Sequence, residues 1–188
     1  MCVIPIIARM SERFIYDEEI FKGHIFEVRK VGLKMPDGQV VQRDLIRFPG
    51  AAVILPVLDD GSIVLIKNYR FAVDEDLYEL PAGILEDSED PAIGAARELT
   101  EETGYTAGQL VKLGKFYSSP GSTDEILHAY LATELTDGDQ DLEIYEQITV
   151  EVVSDAQARQ MVLDGRIHDA KSISTLSLYW LGLDTAGQ

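Results

Sequence analysis

The order of apolar and polar residues changes period several times along the chain, and each change predicts an element. His24–Leu33 and Gln39–Phe48 mix apolar and charged residues in a strand-like way around the turn signal Asp37-Gly38, so they read as a β-hairpin. Pro49-Gly50 then punctuates the chain. Ala51–Leu58 is an apolar run suited to a buried strand, Asp59-Asp60-Gly61 a hairpin turn, and Ser62–Tyr69 the returning strand. Leu77–Leu80 is a further short strand ending at Pro81-Ala82-Gly83. The pattern then becomes helical. Asp90 is placed to cap a helix, Pro91 takes the first helical position, where its missing N–H costs nothing, and Gly104 stops it. Ile93, Ala96, Leu99 and Thr100 form the face expected against a sheet. Gln109–Tyr117 and Glu125–Thr133 read as strands flanking the loop Ser118-Ser119-Pro120-Gly121-Ser122. A polar loop over 134–146 precedes the strand Gln147–Val153, and helices over Ser154–Leu163 and Ser172–Leu183 follow. Mixed strands with two or three helices and no regular βαβ series predict an α+β fold.

Composition adds boundaries and exclusions. A chain of 188 residues with 46% hydrophobic content suits one core domain with a small appendage. The expected division is an N-terminal β unit over 1–48 and a main domain over 49–188. The net charge of −17 speaks against nucleic acid as a partner, because its phosphates would be repelled. A polyanionic small molecule would need cations to mediate its contact. The single cysteine, Cys2, allows no disulfide within the chain, which fits a reducing cytosol. The apolar run Val3–Ala8 is interrupted by Pro5 and has no basic segment before it, so neither a signal peptide nor a membrane span is expected. A cytoplasmic protein is the expectation.

The chemistry is concentrated in the helix predicted after Asp90. Glu98 and Glu102 lie one turn apart on one face, and Glu101 joins them. Such like charges repel, and they stand near the C-terminus of the helix, the unfavourable end for anions. An isolated glutamate pair is usually a solvated face. Here the pattern also includes Gly83, Glu89, Arg97, Leu99, Gly104 and Tyr105. A divalent cation would offset the repulsion, since Mg²⁺ takes hard oxygen ligands from a few carboxylates together with substrate phosphate. Gly83 lets the backbone approach closely, so that a carbonyl such as that of Ala82 would add a ligand.

The stretch Gly83–Tyr105 resembles the Nudix box: a glycine, five residues, Glu, seven residues, Arg-Glu-aliphatic, one residue, Glu-Glu, one residue, Gly and a bulky residue. Every polar and glycine position matches, and Tyr105 stands where an aliphatic residue is commoner. The resemblance implies a Nudix α/β/α sandwich with a mixed sheet, preceded here by the small antiparallel β unit. It implies Glu98 and Glu102 as principal metal ligands, Glu101 assisting directly or through water, and the Ala82 carbonyl completing the shell. Two or more Mg²⁺ ions, or Mn²⁺, would be held. Arg97 and Glu89 would form an ion pair that orients the helix.

Outside the box, Asn68-Tyr69-Arg70 followed by Glu79-Leu80-Pro81-Ala82-Gly83 is similar to the ADP-ribose pyrophosphatase branch. So are Pro120, sixteen residues after Gly104, then Glu125, and the run Gly165-Arg166-Ile167 with Asp169-Ala170-Lys171. This implies hydrolysis of ADP-ribose to AMP and ribose 5-phosphate, with Arg70, Glu79, Pro120 and Glu125 on the substrate side and Glu125 near the terminal ribose. The branch's general base lies in the loop before the penultimate strand, where Glu143 and Glu146 stand; Glu146, next to the strand, is the choice. Tyr16, Phe21 and Phe26 are candidates to face adenine, and the N-terminal unit is expected to form a homodimer. The alternatives are GDP-mannose or another nucleoside diphosphate sugar as substrate, and a non-catalytic nucleotide-binding regulator. The intact box and the lack of a basic added module argue against the regulator.

Overall fold

The computed structural model describes residues 13–144 and 146–186, so Cys2 and the run Val3–Ala8 lie outside the described residues. These residues form two compact units. One runs to Pro49 and takes in Ser119–Glu125; the other is Gly50–Ser118 with the chain from Ile126 onward.

The first unit is an antiparallel sheet of β1 (Phe14–Lys22), β2 (Glu27–Lys34) and β3 (Val40–Arg47), with β2 in the middle. The expected hairpin is β2–β3, and its turn uses Gly38 at φ 86, a left-handed conformation that costs glycine little. The strand β1 was not expected. Its run Asp17-Glu18-Glu19 breaks the alternation that marks a strand. Cross-strand cations supply what the pattern lacks: Arg29 Nε donates to Asp17 at 2.6 Å and Arg47 Nη2 at 2.5 Å. Burial pushes the Asp17 carboxyl up, but these two guanidinium bonds outweigh it and hold it below its usual value. The segment Ser119–Glu125 joins this unit through Ile46 N–H to the Ser122 carbonyl at 2.8 Å and Arg47 to Asp124 at 3.3 Å.

The second unit holds two sheets and three helices. One sheet has the order β10-β5-β6, from β5 (Ile63–Arg70), β6 (Glu75–Glu79) and β10 (Ile148–Val153). The other has the order β7-β4-β9-β8, from β4 (Ala51–Pro56), β7 (Ala82–Ile84), β8 (Thr106–Tyr117) and β9 (Ile126–Thr136). The latter is mixed, because β4 runs antiparallel to β7 and parallel to β9. Every residue of β4 is buried. Val53 and Leu55 enter a core with Ile63 and Leu65 of β5, Met161 of α2 (Asp155–Leu163) and Leu176 of α3 (Ala170–Ala186). Ala52 and Ile54 point the other way, onto Ala95 and Leu99 of α1 (Pro91–Thr103). A strand covered on both faces reads as a continuous apolar run, which is how Ala51–Leu58 appears. This is the α+β sandwich expected.

Several bounds differ from the expectation. In the sequence β7 shows only as the end of the preceding strand, because three residues after Pro81 carry no period. β8 begins at Thr106 rather than Gln109, and α3 at Ala170 rather than Ser172. Ser154 caps α2 through a reciprocal pair with Gln157. No helix among the described residues is long and apolar enough to cross a membrane.

Candidate active site

The bounds of α1 are set by its ends. The Asp90 carboxylate accepts from Ala92 N–H at 2.8 Å, Pro91 opens the first turn, and Gly104, at φ 79, returns its N–H to the Thr100 carbonyl. Its rotation differs from the apolar pattern. Ile93 is 63% exposed and Ala96 is exposed, whereas Gly94, Ala95, Leu99, Glu102 and Thr103 are buried. Leu99 alone among the expected face residues is fully inward, with Thr100 half-buried. Close approach is the cause. A Cβ on Gly94 would meet Leu85 Cδ2 at 2.5 Å, so the helix seats its smallest residues on its neighbours. That seating carries Glu102 inward.

Glu102 is only 3% exposed, and its Oε2 accepts from the Ala82 N–H at 2.8 Å. Burial pushes its carboxyl up to about 8; the Ala82 bond and the charge of Arg70 oppose the rise, and the charges of Glu98 and Glu146 add to it. Glu98 lies against Gly83, where an added Cβ would sit 1.9 Å from the Glu98 carboxyl carbon. Burial raises the Glu98 carboxyl too, partly countered by Arg97 and reinforced by Glu101 and Glu146. Glu101 is the more open of the three, its side chain 37% exposed.

Arg97 ties this group together. It donates to both oxygens of Glu89 at 3.1 Å, to Glu98 at 2.7 Å, to Glu101 at 3.0 Å and to the Ile84 carbonyl at 3.1 Å. The ion pair with Glu89 is therefore one arm of a wider clamp. The bond from Arg97 chiefly holds the Glu89 carboxyl below its usual value. Among the described residues no three acidic, histidine or cysteine side chains are gathered as a ready-made metal cage. The hydrogen bonds give the reason: Arg97 Nη1 takes up Glu98 and Glu101, while Glu102 is turned to a backbone amide.

A second charged group stands beside this one. Arg70 grips both oxygens of Glu79, at 2.6–3.2 Å, and Lys171 Nζ reaches the same carboxylate at 2.6 Å and Asp169 at 2.9 Å. Glu79 is 1% exposed. Burial would push its carboxyl up, but Arg70 and Lys171 outweigh that and hold it low. Pairing is what makes a buried carboxylate tolerable. Asp169-Ala170-Lys171 is visible in the sequence as a run, but the bond from Lys171 to Glu79 spans 92 positions and has no local signal.

Glu146 accepts from the Glu143 N–H at 2.9 Å and returns its own N–H to the Glu143 carbonyl, which closes a small turn. Its charge is felt at both Glu98 and Glu102. Glu143, by contrast, is exposed. Pro120 and Glu125 belong to the other unit: Pro120 is exposed in a turn, and Glu125, half-buried, donates its N–H to Thr123 Oγ1 at 3.2 Å. In that unit too, Phe26 stacks obliquely with Phe21 and Phe48, with ring centres 6.3 and 5.4 Å away, and Tyr16 covers Gly32.

Comparison with known proteins follows the same line. A family model described as the NUDIX domain matches residues 47–174. An ADP-ribose pyrophosphatase of Bacillus subtilis (strain 168) is 39% identical over 165 residues, 87% of this chain and 89% of its own. A methanol dehydrogenase activator of Bacillus methanolicus is 34% identical over 178 residues, 94% of this chain and 95% of its own. A crystal structure of an ADP compounds hydrolase has a TM-score of 0.79 at 24% identity, covering 93% of this chain and 95% of that one, and so speaks for the fold. The carboxylate helix, the sandwich that carries it and the matched span agree: the chain belongs to the NUDIX domain family.

Proposed function

We propose that this protein is a divalent-cation-dependent pyrophosphohydrolase that cleaves the diphosphate of ADP-ribose, or of a related nucleoside diphosphate sugar. The observation that carries this is the inward turn of Glu98 and Glu102, two carboxyls raised by burial and by neighbouring glutamate charges, those of Glu101 and Glu146 on Glu98 and those of Glu98 and Glu146 on Glu102. The name of the 39%-identical relative supports the substrate class.

The residues fit a hard cation. They offer only oxygen donors, from Glu98, Glu101, Glu102 and the Ala82 carbonyl, and Gly83 leaves the room that a Cβ would fill. Mg²⁺ or Mn²⁺, two or more ions, would be held there, and would supply charge for the phosphoryl oxygens and a lowered pKa for water. The chain's own residues do the rest. Arg97 holds Glu98 and Glu101 together against Glu89, and these two carboxylates would turn from the guanidinium to meet the cation. Glu146 removes the proton from the attacking water. One P–O bond forms, the bond from that phosphorus to the bridging oxygen breaks, and ADP-ribose gives AMP and ribose 5-phosphate. Arg70, held by Glu79, presents a cation within electrostatic reach of Glu102, suited to the substrate's phosphates. Pro120 and Glu125 are kept in this reading as candidate substrate-binding residues, Glu125 for the terminal ribose.

The same reading takes 1–48 as a dimerising unit and 49–188 as the hydrolase domain. Exposed apolar residues on β1 support it: Ile15, Ile20 and Phe21 are each at least 50% exposed. A second copy would cover them, while Tyr16, Phe21 and Phe26 are the aromatic candidates to face adenine. The protein is placed in the cytoplasm.

The test is product identification in ¹⁸O-water with Mg²⁺, offering ADP-ribose and GDP-mannose side by side. Labelled AMP or labelled ribose 5-phosphate is expected, with a higher kcat/KM for ADP-ribose. Faster turnover of GDP-mannose overturns the substrate assignment. Unchanged hydrolysis by Glu98→Gln and Glu102→Gln overturns the catalytic one.

A further inference from the structure

The last turn of any α-helix leaves carbonyls without intrahelical partners, and a negative partial charge gathers there. In α1 these are the carbonyls beside the carboxylates themselves, and no basic residue stands in that turn. The Thr100 carbonyl is met by Gly104 N–H. The next two are met from the acidic loop: Asp141 N–H donates to the Glu101 carbonyl at 3.0 Å, and Gln140 Nε2 donates to the Glu102 carbonyl at 2.5 Å. The backbones touch at the same place, since a Cβ on Gly104 would meet the Gly138 carbonyl at 2.4 Å, and one on Gly138 would meet the Gly104 carbonyl at 2.9 Å. Residues 138–141 are thus fastened to the end of α1.

On its far side the loop is also fixed, because Ile148 opens β10 and pairs with Asn68 of β5. Between the two anchors the turn of Glu143 and Glu146 takes up most of the free chain. Where Glu146 stands relative to Glu98 and Glu102 is therefore set partly by the helix end. Asp141 contributes a backbone amide, which every residue but proline would supply. Gln140 contributes a side chain, and a neutral donor suits the site. A lysine would add a cation beside the ligands, and a glutamate would be an acceptor facing an acceptor.

We propose that Gln140 is a positioning residue for Glu146, holding the loop to the last turn of α1 at the Glu102 carbonyl. This rests on the assignment of Glu146 as general base. The test compares Gln140→Glu and Gln140→Ala with the parent protein, each also combined with Glu146→Gln. In the cation-free proteins, amide exchange over 138–147 is expected to speed up in both Gln140 variants, with exchange in β4 and β5 unchanged. With Mg²⁺ and ADP-ribose, kcat is expected to fall on the order of tenfold while KM stays within about twofold, the signature of a misplaced catalytic group. In the Glu146→Gln background the same substitutions should add little, because the group they position is already disabled. Unchanged exchange in the loop overturns the proposal, as does faster exchange with normal kcat. A full further loss in the Glu146→Gln background assigns Gln140 to some other role and also overturns it. If Glu146→Gln itself keeps normal kcat, the assignment of the base fails separately from the anchoring.

Discussion

The substitution Glu102→Gln isolates the cost of holding a carboxylate where α1 places it. In the cation-free protein the Glu102 carboxyl is pushed up to about 8, from 4.5 in the unfolded chain. Between those values the folded state keeps the proton and the unfolded state has lost it. The native state then binds more protons, and stability falls as pH rises. Glu102 favours the fold fully below pH 4.5, and that contribution is gone above 8. Integrated from pH 6 to pH 8, the loss is about 2 kcal/mol from this group alone. For a chain of this size that corresponds to about 4–8 °C in Tm. Glutamine has nearly the same shape, keeps an oxygen to accept from Ala82 N–H, and has no proton to lose. The assay is thermal unfolding in EDTA at pH 6 and pH 8 for both proteins. The parent should lose the extra 4–8 °C over that interval relative to Glu102→Gln. Equal pH dependence in the two proteins would refute the claim that Glu102 is buried with a raised carboxyl.

Gly83→Ala should weaken Mg²⁺ binding at least tenfold by isothermal titration, because the atoms nearest the added methyl are those of the Glu98 carboxyl, which it would displace. Arg97→Lys should fold and yet lose on the order of tenfold in kcat, since an ammonium cannot span Glu89, Glu98, Glu101 and the Ile84 carbonyl together; full activity would show that the clamp has no positioning role. Glu146→Gln should lose on the order of 10²-fold or more in kcat, whereas Glu143→Gln stays near normal; the reverse order would move the base to Glu143. Sedimentation at micromolar concentration should give a dimer, and a monomer would remove the role given to the exposed face of β1.

What was legible in the sequence depended on whether the signal was local. The ends of α1 were, because Asp90, Pro91 and Gly104 each act on the backbone within a turn. The spacing of Glu98, Glu101 and Glu102 was, because a helix fixes their angular relation wherever it packs. The rotation of that helix was not. Apolar pattern assigns Ile93 and Ala96 to the inside, but small residues at Gly94 and Ala95 allow a closer approach and carry Glu102 in. A buried carboxylate runs against the hydrophobic signal, so a site of this kind misleads the pattern at the point where function lies. β1 was missed for a related reason, its acidic run being balanced only by Arg29 and Arg47 from other strands. The link from Glu79 to Lys171 and from Gln140 to α1 joins segments that no window along the chain contains.

The parallel pairing of β4 with β9 has a consequence for how the protein comes into being. Ala51 stands opposite Leu127, so this contact closes a loop of more than seventy residues, within which lie β5, β6, β7, α1 and β8. Closing so long a loop costs chain entropy before any contact repays it, which slows folding. Ala52 and Ile54 on one strand and Tyr130 and Ala132 on the other make the bed on which α1 rests. The helix has no completed surface to lie on until that late closure occurs. Recovery of hydrolysis during refolding should therefore track the slowest phase of β-sheet formation, with no active species formed ahead of it.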